Sequence, residues 1–179
     1  IICDDCETQL PFTHFEQMQN NPIEKIFWGR ANISNAMAIL FFTKESMVQQ
    51  IIFELKYKQN KKAGYLFGRL IANALVNNSK YSQIDYLIPI PISKRKLKKR
   101  GFNQSWEIAK HIQLPKTVRK IPNALGRIDD ETSQAQRNRE MRKEMAQDLF
   151  YLNTDWSERF KNQRIIVFDD VMTTGATMN

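Results

Sequence analysis

The chain has few of the residues that build metal centres. Its 179 residues contain two cysteines and two histidines, together with six glycines and six prolines. A structural zinc ion takes four nitrogen or sulfur ligands. Cys3, Cys6 and the nearby His14 are fewer than four, and His111 lies in a distant segment. This shortage argues against a complete zinc site made by these residues alone.

Long apolar runs are also missing. No run approaches the 18 apolar residues that a membrane-spanning helix needs, and no signal-peptide pattern is present. These absences predict a cytoplasmic protein with no membrane partner. There is no internal repeat or low-complexity tract, and the absence of a GxxxxGK[ST] string excludes the Walker type of phosphate loop.

Positive charge and apolar residues are abundant. The hydrophobic content of 42% suffices for a core, and the length supports one main domain with a small appendage. The formal net charge of +8 indicates an anionic partner, either a highly charged phosphate compound or a nucleic acid. The cations cluster at residues 94–100, 116–127 and 137–143.

The end of the chain combines an apolar strand with two carboxylates. Ile165–Phe168 is short, apolar and mostly β-branched, which predicts a strand buried on both faces. Asp169 and Asp170 follow directly, and open α/β sheets bind ligands at the carboxyl ends of such strands. A vicinal diol has two O–H donors, and two carboxylates can accept both. The pair therefore predicts a ribose-binding site.

A loop of small and hydroxyl-bearing residues follows the two carboxylates. Gly175 permits a tight turn with the backbone close to a ligand, and N–H groups at a helix N-terminus favour an anion. Threonine hydroxyls can also donate to phosphate oxygens. The loop therefore predicts a phosphate site next to the ribose site. Its residues are Val171, Met172, Thr173, Thr174, Gly175, Ala176 and Thr177.

A second strand precedes a run of cations. Residues 84–92 predict another buried strand, which ends in proline where no ladder donor is needed. Six of the eight residues 93–100 are lysine or arginine. Because this basic loop follows a strand end, we expect it on the same rim of the sheet as Asp169 and Asp170. An amphipathic helix is predicted next, over residues 102–113.

The order of the remaining elements predicts the fold class. Apolar residues at helical spacing predict helices around residues 47–55 and 66–75. Plausible strands are residues 36–42 and 118–121, residues 126–138 are predicted as a mobile loop, and residues 139–150 as a helix. Strands that alternate with helices predict an α/β fold with a mainly parallel sheet.

The motifs together resemble the ComF family, also called the competence protein F or GntX-like family, of type I phosphoribosyltransferase-fold proteins. The acidic pair and threonine loop resemble the motif that binds 5-phosphoribosyl-1-pyrophosphate (PRPP). The Pro-x-Pro strand end, the basic run and the RGFNQ string of residues 100–104 resemble the family's second landmark. Residues 54–58, and residues 132–134 with Arg139 and Arg142, resemble two further segments. The resemblance covers essentially the whole chain.

The resemblance implies a fold, an activity and roles for several residues. The fold would be that of the type I phosphoribosyltransferases, with Asp169 and Asp170 binding the ribose hydroxyls and the loop binding the 5′-phosphate. A nucleophile would displace pyrophosphate from C1 of PRPP, with Mg²⁺ accompanying PRPP. Lys96 and Arg100 are the residues expected to neutralise the leaving pyrophosphate, and Gln134 is expected to reach the ligand from a lid.

The two cysteines form a C-x-x-C pair. In the resembling proteins two such pairs make a structural zinc ribbon, so we expect Cys3 and Cys6 to be half of a zinc site whose first pair lies upstream of Ile1. A redox C-x-x-C normally opens a helix in a thioredoxin-like βαβ unit, which is not expected here. A disulfide between the two cysteines is a further alternative. The resemblance divides the chain into residues 1–30, a partial zinc-ribbon-like segment and linker, and residues 31–179, a phosphoribosyltransferase-like domain.

The chain departs from the family pattern in two ways. Met145 stands where the family usually has asparagine, and family members continue beyond the phosphate loop, so we expect a fragment. The acceptor cannot be read from the sequence. Three functions therefore stay open: a phosphoribosyl-transferring or PRPP-hydrolysing enzyme, a non-catalytic PRPP or nucleotide sensor, and a DNA-uptake accessory that binds single-stranded DNA or a competence helicase.

Overall fold

The computed structural model describes residues 2–128 and 149–172. The helices are α1 (Asp4–Thr8), α2 (Pro22–Phe27), α3 (Met47–Tyr57), α4 (Lys61–Val76), α5 (Lys94–Arg100), α6 (Gln104–Ala109) and α7 (Thr154–Ser157). The strands are β1 (Tyr86–Pro89), β2 (Arg119–Lys120), β3 (Leu125–Arg127), β4 (Phe150–Leu152) and β5 (Ile165–Phe168). Within these two ranges, no helix is both long and apolar enough to cross a membrane.

Three strands form a parallel sheet in the order β2-β1-β5. β1 pairs with β5 along its whole length, from Tyr86 opposite Ile165 to Pro89 opposite Phe168. β3 and β4 form a separate antiparallel pair. The predicted α/β class is therefore confirmed as a small parallel sheet flanked by helices, and the predicted strands at 84–92 and 118–121 are confirmed as the shorter β1 and β2.

The central strand β1 is buried on both faces of the sheet. Leu87 is fully buried and packs with Ala72 and Leu75 of α4, whereas the next residue, Ile88, packs with Ile121 on the opposite face. Successive side chains of a strand point to opposite faces. Burial on both faces is thus the reason why this strand reads as a continuous apolar run.

The helices α3 and α4 cover one face of the sheet. Val48, Ile52 and Leu55 are the buried residues of α3, at the spacing that places them on one stripe. Ser46 caps α3, because its side chain accepts a hydrogen bond from Gln49 N at 3.1 Å. The two helices predicted from apolar spacing are therefore confirmed.

Helix α4 also packs closely against α6 through glycine. A Cβ atom built at Gly64 would lie 2.9 Å from the carbonyl oxygen of Glu107, and one at Gly68 would lie 2.6 Å from the Cβ atom of His111. The two glycines are one turn apart on α4 and let the two helix backbones approach. Their spacing therefore fixes where α6 sits on the sheet.

The predicted strand over residues 36–42 is wrong. The structure has a single antiparallel bridge there, between Leu40 and Phe12, outside any strand. Buried Asn21 holds the surrounding segment instead, because its amide nitrogen donates to the carbonyl oxygen of Ala36 at 2.8 Å. The carbonyl oxygen of Ala36 thus accepts a hydrogen bond from a buried side-chain amide and not from the backbone of a neighbouring strand.

Two predictions around the antiparallel pair of β3 and β4 are partly wrong. The predicted loop over residues 126–138 is wrong at its start, because Gly126 lies within β3 opposite Tyr151 of β4. Phe150, predicted at the end of a helix, is the first residue of β4. The rest of the predicted loop and helix, residues 129–148, lies outside the described residues.

The basic segment predicted as a loop is the helix α5. Ser93 caps its N-terminus by accepting a hydrogen bond from Lys96 N, and Gly101 ends it with a positive φ of 79°. Three cations in its last turn complement the negative end of the helix dipole. These two caps outweigh the repulsion between like charges.

The prediction that β5 is buried on both faces is also wrong. Val167 is 43% exposed, whereas Phe168 packs against the core clusters of α3, α4 and β1. β5 is an outer strand of the described three-strand sheet. The apolar run therefore reflects strand propensity as well as burial.

Candidate functional site

Asp169 and Asp170 directly follow the last residue of β5. The backbone is fixed at this point, because Ile90 N donates to the carbonyl oxygen of Phe168 at 2.8 Å. On the far side, Val171 packs against the core cluster of α3 and α4. The two carboxylates are thus held between two anchored residues at the carboxyl end of a parallel strand, where sequence analysis placed them.

The N-terminus of α6 is tied to the same edge of the sheet. The Asn103 side chain donates from Nδ2 to the carbonyl oxygen of Ile90 at 2.9 Å. Its Oδ1 atom accepts from Ser105 N at 2.9 Å and caps α6. One asparagine thus joins the end of β1 to the start of α6 and places Gln104 and Ser105 beside the carboxylates.

Asp169 is held by short-range hydrogen bonds. Its Oδ1 atom accepts from Ser105 Oγ at 3.0 Å and from Asp170 N at 2.9 Å. Ser105 is fully buried. Burial, followed by the negative charge of Asp170, raises the pKa of Asp169 to about 6. The ionised form is therefore costly here, and a ligand that donates to it or carries a cation would be favoured.

Asp170 has a cationic partner and an amide partner. Its Oδ2 atom lies 2.5 Å from Lys56 Nζ, at the C-terminal end of α3. Its Oδ1 atom accepts from Gln104 Nε2 at 3.1 Å. The side chain of Asp170 is 5% exposed and that of Lys56 is 18% exposed. Both oxygens of Asp170 are thus fixed in direction, in surroundings that screen the charges weakly.

Arg100 connects this carboxylate to the basic helix α5. Its guanidinium donates from NH1 to Gln104 Oε1 at 2.7 Å and lies 5.3 Å from the ring centre of Tyr57. Gln104 is buried between the two charged residues. Because arginine can only donate and an ionised carboxylate can only accept, these partners fix the orientation of the Gln104 amide.

The other cations of α5 are placed differently. Lys96 is exposed, and its ammonium makes no ion pair with any described residue. Lys98 and Lys99 are likewise exposed on this helix. Of the two cations predicted to neutralise pyrophosphate, the structure therefore links Arg100 to the carboxylates through Gln104 and leaves Lys96 at the surface of α5.

Several predicted site residues lie outside the described residues. They are Thr173, Thr174, Gly175, Ala176 and Thr177 of the phosphate loop and Gln134 of the lid. Met172 is the last described residue and is half-buried. The geometry of the site therefore ends at the acidic pair and the two residues that follow it.

The cysteine pair lies at the first helix. Cys3 is the N-cap of α1 and Cys6 lies within it, so the pair does open a helix, contrary to the expectation, although no described strand precedes it. Hydrogen bonding from the Cys6 backbone lowers the pKa of Cys3, and the neighbouring Cys3 thiol raises the pKa of Cys6. Both are free thiols. Among the described residues no group of three metal-ligating side chains is found, so the half-site at Cys3 and Cys6 stays a prediction.

Sequence analysis assigned no role to three residues that contact the carboxylates, namely Lys56, Gln104 and Ser105. Lys56 lies within residues 54–58 and Gln104 within the RGFNQ string of residues 100–104, both singled out in the sequence, whereas Ser105 directly follows that string. The sequence thus marked the segments around these residues, but it did not show that their side chains contact the carboxylates. Lys56 is on α3, far from Asp170 in the sequence, and only packing of α3 beside β5 brings the two together.

Comparisons of the chain with protein-family models, with curated proteins and with solved structures find no match. The function of the site is therefore argued from its residues and their chemistry. The residues provide two adjacent, largely buried carboxylates with unused lone pairs, the partly buried ammonium of Lys56, and the guanidinium of Arg100, which reaches Asp170 through the amide of Gln104.

Proposed function

We propose that the chain is a PRPP-binding phosphoribosyltransferase of the ComF type, which transfers a phosphoribosyl group to an acceptor with loss of pyrophosphate. One observation carries the proposal. Two adjacent carboxylates, Asp169 and Asp170, are held in fixed directions at the carboxyl end of a parallel strand. Ligands of open parallel sheets bind at this end.

The carboxylates suit a diol. An ionised carboxylate has about four lone-pair positions, and Asp170 uses one oxygen for Lys56 and the other for Gln104. Positions for a ribose hydroxyl therefore stay available on both oxygens. Because the burial of Asp169 makes its charge costly, O–H donors from a ligand replace the hydration that it lacks.

The cations suit the other end of PRPP. Pyrophosphate gathers negative charge as it leaves, and preorganised cations stabilise that charge. Arg100 is preorganised in this way, because Gln104 and the ring of Tyr57 already hold its guanidinium. The exposed lysines of α5 raise the local concentration of an anion near the site.

The reaction needs one bond made and one broken. A nucleophile on the acceptor attacks C1 of the ribose, and the bond from C1 to the pyrophosphate oxygen breaks with its electron pair going to pyrophosphate. The proton of the nucleophile passes to a pyrophosphate oxygen or to solvent water. In this scheme Asp169 and Asp170 hold the ribose by its hydroxyls. Arg100, with Lys96, stabilises the negative leaving group, and Lys98 and Lys99 steer the substrate towards the site. Residues 173–177 hold the 5′-phosphate.

The described residues fit a magnesium ion that arrives with its substrate. Mg²⁺ is commonly bound by one or two carboxylates together with substrate phosphates and water, and Asp169 and Asp170 provide two carboxylates. The ion would supply charge neutralisation for the pyrophosphate. A zinc ion at Cys3 and Cys6 would be structural and takes no part in the reaction.

The test is calorimetric titration of the protein with PRPP, with and without Mg²⁺. We expect saturable, Mg²⁺-dependent binding that is lost in the D169N/D170N variant, and pyrophosphate release once the right acceptor is added. A non-catalytic sensor would bind PRPP in the same way and release no pyrophosphate with any acceptor.

Nucleic-acid binding makes the opposite prediction. An oligonucleotide held by the basic clusters would bind with a steep dependence on salt, and its affinity would survive the D169N/D170N changes. Phe102 and Trp106, two aromatic residues near the basic helix, pack against the core and are therefore poor candidates for stacking on bases. Absence of PRPP binding at millimolar concentration would contradict the proposed function.

A further inference from the structure

Lys56, which pairs with Asp170, is the least exposed of the lysines that form ion pairs among the described residues, and Lys110 comes next at 36%. Lys58 and Lys161 also form ion pairs, but their side chains are 61% and 65% exposed, against 18% for Lys56. A buried ion pair loses the hydration of two charges and is often no more stable than an apolar pair. Its presence next to the proposed ligand site therefore calls for a role other than stability.

The geometry gives Lys56 control of the direction of Asp170. The ammonium lies 2.5 Å from Oδ2, and Gln104 donates to Oδ1 at 3.1 Å. With the ammonium beside one oxygen and an amide donor on the other, the orientation of the carboxylate is restricted, and buried Oδ2 still lacks a hydrogen-bond donor. A carboxylate that already points correctly loses little freedom when a diol binds.

The same end of α3 also reaches the basic helix. Tyr57, next to Lys56, lies under the guanidinium of Arg100, which donates to Gln104. Gln104 in turn donates to Asp170. Two consecutive residues of α3 thus contact both the acidic pair and the cation proposed for pyrophosphate.

We propose that Lys56 is a positioning residue of the site: it holds the carboxylate of Asp170 in one orientation, so that the acidic pair discriminates a ribose diol from a sugar that lacks one hydroxyl. The inference rests on the proposed function and adds a determinant of sugar specificity to it. Arg100 of α5 also faces the acidic pair, but it reaches Asp170 only through the side chain of Gln104.

The test compares ribose 5-phosphate with 2-deoxyribose 5-phosphate by calorimetry, on the wild-type chain and on the variants K56M and K56R. The wild type should prefer the ribose compound by roughly tenfold, the worth of a charge-assisted hydrogen bond. In K56M this preference should fall to nearly one, and K56R should restore most of it. A defect that was only structural would weaken both sugars alike and leave their ratio unchanged.

Lys58→Met is the matched control. It removes a lysine of the same helix region that pairs with Glu54 at the surface, so the sugar preference should stay at the wild-type value. A wild-type preference retained in K56M, or lost equally in K58M, would overturn the inference. If K56M does not fold, K56Q takes its place in the comparison with K56R. If the wild type binds neither sugar phosphate nor PRPP, the proposed function itself is contradicted. If the wild type binds PRPP and K56M keeps the sugar preference, only the role of Lys56 is contradicted.

Discussion

At the scale of single residues, the two adjacent aspartates are not equivalent. Asp170 has an ammonium on one oxygen and an amide on the other. Asp169 has a hydroxyl and a backbone N–H, and no cation touches it among the described residues. Burial and the charge of Asp170 therefore raise the pKa of Asp169 to about 6. One carboxylate of the pair is poised to change its charge near neutral pH.

The stability of the protein should record this titration. The pKa of Asp169 is about 6 in the folded chain, against 3.8 for an ordinary aspartate. Protonation of Asp169 therefore adds to the free energy of unfolding at low pH. This contribution is complete below pH 3.8 and is lost as the pH rises through about 6. The difference between the two pKa values corresponds to about 3 kcal/mol in all, of which roughly 1 kcal/mol falls between pH 5 and pH 7. In D169N this contribution to the pH dependence should vanish, measured as the free energy of unfolding in urea at about pH 5 and about pH 7.

The matched control is Asp155→Asn, which changes an acidic residue in the first turn of α7. Its pH dependence of unfolding should follow that of the wild type. An equal slope in the wild type and in D169N would show that Asp169 titrates as an ordinary exposed carboxyl.

At the scale of elements, the position of α6 depends on the glycines of α4. Gly68 faces backbone and Cβ atoms of His111, which cannot move as the end of a flexible side chain could. Since α6 begins with Gln104 and Ser105, a displacement of this helix would also displace the hydrogen-bond donors of both carboxylates. The packing of two helices and the geometry of the site are thus linked.

Gly68→Ala should therefore destabilise the protein in spite of the better helix propensity of alanine. Overpacking typically costs about 1–3 kcal/mol, and alanine in a helix gains about 1 kcal/mol over glycine. The net loss should reach up to about 2 kcal/mol in the free energy of unfolding. PRPP affinity should fall as well, because the donors to Asp169 and Asp170 move with α6.

Asn73→Ala on the same helix is the matched control. Asn73 is exposed in the interior of α4, so the change to alanine should be neutral or slightly stabilising. Destabilisation of N73A by as much as G68A would mean that the loss reflects α4 itself rather than its contact with α6.

At the scale of the whole molecule, the excess of positive charge acts over a distance. The net charge is +8, and the exposed lysines of α5 lie on the helix whose last residue contacts Gln104. Interactions between exposed charges extend about 10 Å at 0.1 M salt. The lysines of α5 can therefore attract a polyphosphate without touching it in the bound state.

The double variant K98A/K99A should bind PRPP roughly fivefold to tenfold more weakly at low salt, since each exposed charge contributes about 1 kcal/mol at most. The difference from the wild type should disappear at 1 M salt, where charges are screened within about 3 Å. Calorimetry across a salt series measures both. A loss that persisted at 1 M salt would mean that Lys98 or Lys99 contacts the ligand directly.

The sequence by itself determined the α/β class, the helices α3 and α4, the strand β1 and the position of Asp169 and Asp170 at a strand end. These features follow from local periodicity, since the spacing of Val48, Ile52 and Leu55 depends only on the geometry of a helix. Helix caps are local signals as well. Ser93 and Gly101 cap α5, but the segment between them was predicted as a loop because of its run of cations.

Only the tertiary structure decided which side chains meet at the carboxylates. Lys56, Gln104 and Ser105 are an ordinary lysine, amide and hydroxyl in the sequence, and their contacts with Asp170 and Asp169 exist because α3 and α6 pack beside β5. The raised pKa of Asp169 likewise depends on burial, which no local pattern contains. Periodicity is a property of a segment, whereas the partner and the burial of a charge are properties of the packed molecule.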